Sequence, residues 1–310
     1  MNKNTYLLKK YKSKLNLYLE ADTIKEKLTS VFYNKEILFY GNCQTNVIKE
    51  TLGLDSTYYI NNIQCWNTNI NKEEFTNIIK KCDIIITQPI NDNYRNLDYL
   101  STQYIISNSN KDCKIIIFDS CYFNFYYFDL TYTNFNNEIL HKPSDYHYNK
   151  LIECYKNNKS IEYYINNFVN NIEFKTDIEL DVIIEDNLNN ILTRYNINLN
   201  KYNKDNVYII SSYEFIKDNY KDKLLFYSMN HPSKYLIQFI CKNIIEILKI
   251  PDTINYNIDL FSHTRCILYK CIQKKVNFNI TKYTPLILNN SNIHDIIKLY
   301  YNTYKSINYV

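Results

Sequence analysis

Four short apolar runs alternate with stretches of helical period between residues 37 and 118, and this alternation most constrains what the chain can fold into. Ile37-Leu38-Phe39-Tyr40 is too short for a helix and stops at Gly41. Val47, Ile48 and Leu52 follow at helical spacing, and Gly53 stands where a left-handed residue ends a helix. Tyr58–Ile63 reads as a second strand. Asn71-Lys72-Glu73-Glu74 reads as a capped helix start, with Phe75, Ile78 and Ile79 on one face. Asp83–Thr87 reads as a buried strand ending at Gln88-Pro89, a helix is predicted over 97–107, and Lys114–Phe118 reads as the next strand. Strands and helices in alternation predict a parallel sheet covered on both faces.

Residues 119–135 are dense in aromatics and read as a loop, with Tyr122–Phe128 more core than ligand wall. Helices dominate from about 144 to 195, with Ser160 as an N-cap. Val207–Ile210 reads as a strand and Ser211-Ser212-Tyr213-Glu214 as a capping box for the helix after it. Leu224–Tyr227 is a further short strand-like run. Asn230-His231-Pro232-Ser233 follows it, then a long helix to about Lys249, and a last helix is predicted over 292–304. No repeat or Pro/Gly/Ser linker interrupts the chain. Residues 36–310 therefore read as one α/β domain, and residues 1–35 as a helical extension with a Lys-rich amphipathic helix over 6–30.

Composition narrows the chemistry. An average chain of this length would carry roughly 22 glycines; this one has 2, Gly41 and Gly53. A P-loop or a GxGxxG dinucleotide loop cannot be built from them. HExxH is absent, and Cys266 and Cys271 have no second thiol pair, so no metal is expected. The net charge of +4 is spread without a basic block, which argues against nucleic acid. No apolar window is long enough to span a membrane. With no leader visible after Met1, the nine cysteines are expected to be reduced cytoplasmic thiols.

Cys43 lies between a strand and a helix N-terminus, where free backbone N–H groups and the helix dipole favour a thiolate. Gly41 would permit the tight turn and the approach of a ligand. The amides of Asn42 and Gln44 could donate to a developing oxyanion. His231 also opens a helix after a short run, which would keep it neutral and able to act as a base. Ligands bind parallel α/β sheets at the carboxyl ends of the strands, so Cys43, Gln88 and His231 are expected to converge. Arg95, in the polar stretch after Pro89, is suited to clamping a phosphate or carboxylate.

With these residues in view, the chain resembles the WcbI family of polysaccharide-biosynthesis enzymes, itself similar to SGNH hydrolases. The matching pieces are Tyr40-Gly41-Asn42-Cys43-Gln44, Gln88-Pro89-Ile90 with Tyr94-Arg95, Asp145-Tyr146-His147, and Leu225-Phe226-Tyr227 running into His231-Pro232-Ser233. The tyrosine-rich helix Ile297–Tyr304 adds to the likeness, which spans about residues 37–305. The resemblance implies a flavodoxin-like three-layer fold with additional helices. It also implies coenzyme A or acetyl-CoA as acyl donor and transfer of an acetyl group to a sugar of a surface glycan. Cys43 and His231 would be the reactive pair, assisted by Gln44. Gly41, Asn42 and Gln88 would serve the oxyanion or substrate, and Tyr94, Arg95 and Ser233 the cofactor. Two departures stand out: Asp119-Ser120 where the family tends to have Pro, and Ser233 where it has Thr. A carbohydrate esterase on the same fold and a non-catalytic CoA- or glycan-binding protein are the alternatives. The esterase is disfavoured because Ser228, not Asp, stands three residues before His231.

Overall fold

The computed structural model describes residues 35–67 and 69–309. The expected helix over 6–30 lies outside them. The centre is a parallel five-stranded sheet: β1 (Glu36–Gly41), β2 (Tyr59–Gln64), β3 (Ile84–Thr87), β4 (Lys114–Phe118) and β5 (Val207–Ile210), in spatial order β2-β1-β3-β4-β5. This is the doubly wound flavodoxin-like order, in which the chain runs outward from β1 in both directions.

Period-two alternation sends the strand side chains to opposite faces. Ile37, Phe39, Ile84, Ile86, Ile116 and Phe118 pack with α1 (Cys43–Leu52) and, further along the chain, Leu236, Ile237, Ile240 and Ile244. Leu38, Tyr40, Ile85, Ile115 and Ile117 face the other way, against α2 (Lys72–Lys81) and α3 (Thr102–Asn108). Burial on both faces explains why β3 and β4 are nearly unbroken isoleucine, each such side chain stabilising the fold by about 1.5–3 kcal/mol.

Local chemistry sets the helix ends. Asn42 and Asn71 cap α1 and α2 by accepting from the Gln44 and Glu74 N–H groups, and Gly53 ends α1 at φ 61°. Ser160 caps a short turn by accepting from Tyr163 N–H. The predicted 97–107 helix is shorter: α3 begins after Ser101, which accepts from Tyr104 N–H, and two 3-10 turns precede it.

The second half adds α4 (Asn149–Lys156), the 25-residue α5 (Asp177–Lys201), α6 (Tyr213–Asn219), α7 (Lys234–Leu248) and α8 (Ile293–Ser306). The 122–128 run is largely core: Phe123, Phe125, Tyr126 and Tyr127 are buried, and Tyr122 and Phe128 are half-buried. Two expectations fail. The capping box at α6 does not form: Ser211 Oγ accepts from Tyr213 N–H at 3.2 Å rather than from Glu214 N–H, and Ser212 Oγ donates to buried Asp119, 3.2 Å away. Leu224–Tyr227 is no strand of the sheet. It turns back through a single antiparallel bridge, Phe226 to Pro232, with Ser233 N–H donating to Leu225 O at 2.7 Å. Among the described residues no helix is long and apolar enough to cross a membrane.

Candidate active site

Chain reversal at β1 opens a crevice between the carboxyl ends of β1 and β3, and Gly41-Asn42-Cys43-Gln44 and Gln88 fill it. Asn42 N–H donates to Gln88 Oε1 at 2.8 Å, and Gln88 Nε2 donates to Gln44 Oε1 at 2.9 Å. Gln44 Nε2 donates to both Cys121 O and Asn230 O, each at 2.8 Å, and Gln44 Oε1 also accepts from Cys121 N–H at 3.0 Å. Both donors and both acceptor directions of the Gln44 amide are thus used, and the residue is 1% exposed. The expectation that Gln44 donates to an oxyanion is corrected: it is a tie-bar. Gln88, 2% exposed, is likewise a strut rather than a substrate contact. Asn42 differs, since its carbonyl caps α1 while its Nδ2 makes no hydrogen bond to a described residue. Gly41 is required by packing rather than by ligand approach. A Cβ there would sit 2.1 Å from Thr45 Oγ1 and 2.8 Å from Gln88 Oε1.

Cys43 is half-buried, and the other eight cysteines are buried. The expected thiolate is not favoured: burial pushes the Cys43 thiol up to about 11. The N–H groups of Cys43 and Gln44 at the helix start pull the other way and are outweighed. At neutral pH the side chain is a neutral thiol.

His231 arrives by a tight turn rather than a strand-to-helix junction. Its carbonyl accepts from Tyr227 N–H at 2.8 Å and its N–H donates to Ser228 Oγ at 3.2 Å. The ring stacks on Phe261 at 4.4 Å and meets Tyr146 edge-on at 5.4 Å. Burial, with His263 nearby, lowers its pKa to about 4, so the imidazole is neutral as expected, but for a different cause. Nδ1 is buried and has no hydrogen-bond partner among the described residues, which leaves Nε2 as the nitrogen available to a ligand.

No hydrogen bond joins Cys43 to His231. Shared neighbours do: the Asp145 carboxylate acts on both groups, and the Tyr146 phenol feels Cys43 while its ring contacts His231. Asn230 organises the rim. Its Oδ1 accepts from Tyr146 Oη, and its Nδ2 donates to Tyr132 Oη at 2.8 Å. Sequence reasoning assigned no role to Asn230, Tyr132, Asp145, Tyr146 or Phe261. Adjacency to His231 could have flagged Asn230; nothing local flags Phe261.

Arg95 is exposed in a left-handed conformation, φ 54°, with its guanidinium 5.7 Å from the Tyr94 ring. Arg95 Nη1 donates to Trp66 O at 3.5 Å, next to Cys65, whose N–H donates to Gly41 O at 2.8 Å. Ser233 does not fit a cofactor contact: it is 0% exposed at the head of α7, its hydroxyl without a partner among the described residues. Among the described residues no group of three or more His, Cys, Asp or Glu is arranged to hold a metal ion.

The family model described as polysaccharide biosynthesis enzyme WcbI matches residues 36–253. Among solved structures, the fold is similar to that of WcbI, described as a novel polysaccharide biosynthesis enzyme in its native form without a disulfide bond between coenzyme A and one of its cysteines. The TM-score is 0.73 at 17% identity, over 88% of this chain and 90% of that one, a likeness of fold. No curated protein sequence matches the chain.

Proposed function

The chain belongs to the WcbI family of polysaccharide biosynthesis enzymes, and from that premise we propose that it transfers an acyl group, acetyl in the first instance, from a coenzyme A thioester to a sugar hydroxyl. The observation that carries this reading is the half-buried Cys43 thiol and the open Nε2 edge of neutral His231, held to one crevice by the Gln44–Asn230 bond. The solved WcbI is described as free of a disulfide bond between coenzyme A and one of its cysteines; in our reading Cys43 is the thiol nearest a bound coenzyme A sulfur.

The residues support direct transfer. His231 Nε2 takes the proton of the sugar hydroxyl as its oxygen forms the C–O bond to the acyl carbon. Asn42 Nδ2 donates to the carbonyl oxygen as charge builds there. The C–S bond then breaks, and the imidazolium, a strong acid in this buried setting, returns the proton to the leaving thiolate. A neutral Cys43 thiol with no hydrogen bond to His231 is a poor starting state for a covalent acyl-enzyme.

Two measurements test the reading. Coenzyme A at 100 times its Kd should stabilise the protein by about 2.7 kcal/mol. Release of free thiol from acetyl-CoA should depend on added glycan acceptor. An unchanged melting temperature at millimolar coenzyme A removes the reading, and glycan-independent release turns it into a thioesterase.

A further inference from the structure

The aromatic loop after β4 and the helix α5 border a half-open cavity of about 730 Å³, lined by neither Cys43 nor His231. That volume is in the range of small-molecule sites. Three half-buried rings, Tyr122, Phe128 and Phe174, supply its apolar wall. Beside them the side chains of Asn124, Asp186 and Asn190 make no hydrogen bond to any described residue. Lys150 and Lys175 also line it, but each is already paired, with Glu153 and Glu179 respectively, both at 2.7 Å.

This lining selects a chemical class. Among the lining residues a phosphate or nucleotide finds no unpaired cation, Arg194 standing outside the lining, and Asp129 and Asp186 oppose it. A wholly apolar ligand would strip water from three unpaired polar side chains at about 1–3 kcal/mol each. A pyranose offers a C–H face for the rings and a rim of hydroxyls for the amides and carboxylate. We propose that this cavity is a sugar-binding subsite. Its place in the fold couples it to the crevice: Tyr122 Oη donates to Met229 Sδ at 3.5 Å, one residue before Asn230, and Cys121 is held by Gln44. Taken with the acyl-transfer reading, on which this part rests, the subsite holds a unit of the acceptor glycan beyond the one acylated.

Saturation-transfer NMR on the full chain tests it, with glucose, galactose, mannose, N-acetylglucosamine, cellobiose and lactose as probes, and adenosine 3′,5′-bisphosphate as the competing class. At least one sugar should bind, and Asn190→Ala and Asp186→Ala, both at exposed positions, should each weaken it tenfold or more while leaving the coenzyme A melting shift unchanged. Absence of binding by every sugar overturns the proposal. So does sugar binding that ignores both substitutions, or bisphosphate binding that they abolish. Sugar binding that responds to both substitutions in a protein with no response to coenzyme A upholds the subsite and sinks the transferase reading instead.

Discussion

The side chain of Gln44 donates to the main-chain carbonyl of Asn230, 2.8 Å away and 186 residues along the chain. Each residue is next to one of the two candidate reactive groups, Cys43 and His231. One buried amide therefore ties the helix start that carries the thiol to the turn that carries the imidazole.

Replacing that amide should loosen the site. Gln44→Leu leaves the Cys121 N–H, the Cys121 and Asn230 carbonyls and Gln88 Nε2 without their partner. At about 1–3 kcal/mol for each buried group left unsatisfied, the loss should exceed about 3 kcal/mol. Urea denaturation measures it, and a loss below about 1 kcal/mol would contradict the tie-bar role.

Gly41→Ala places a methyl against Thr45 Oγ1 and Gln88 Oε1. Overpacking of this kind costs about 1–3 kcal/mol. Removing the hydroxyl should relieve part of it, so Gly41→Ala should cost less in a Thr45→Ala background. Equal costs in both backgrounds would show that the clash is absorbed elsewhere.

With its thiol pushed up to about 11, Cys43 should alkylate slowly at neutral pH. The rate should climb about tenfold per pH unit from 7 to 10, following the thiolate fraction. Mass spectrometry should find the label on Cys43 ahead of the eight buried cysteines. Fast labelling independent of pH would mean a depressed pKa. Cys43→Ser should retain substantial turnover if transfer is direct.

His231→Ala should lower turnover by on the order of 10² to 10⁴, the range for a positioned acid–base group, with the fold intact by circular dichroism. A loss below threefold would remove His231 from the mechanism.

His231 and Asp129 should tilt stability with pH in opposite directions. His231 falls to about 4 on folding, so its contribution is present above the unfolded value of about 6.5 and is lost as pH drops toward 4. Burial raises Asp129 to about 6, so its contribution is present below the unfolded value of about 3.9 and is lost as pH rises through 6. Each effect is at most on the order of 3 kcal/mol. Opposed slopes flatten the wild-type profile between pH 4 and 6. His231→Gln should gain relative stability on acidification, and Asp129→Asn on alkalinisation. Parallel urea curves for wild type and variants across this range would refute both assignments.

Whatever neighbours along the chain can decide was legible from the residues alone. The short isoleucine-rich runs had to be buried strands, Asn71 and Ser160 had to cap, Gly53 had to end α1, and Lys114–Phe118 and Val207–Ile210 fall where their patterns put them. Motif order also made the residues of the crevice legible. Their roles were not, because partners and burial come from elsewhere in the fold. Ser211 bonded Tyr213 N–H and closed no box with Glu214, Leu224–Tyr227 bent back on Pro232, and Gln44 was consumed by carbonyls from two distant loops. Cys43 shows the reason most directly. A helix N-terminus is a local feature that favours the thiolate, whereas desolvation depends on everything packed around the sulfur, and here it is the larger effect.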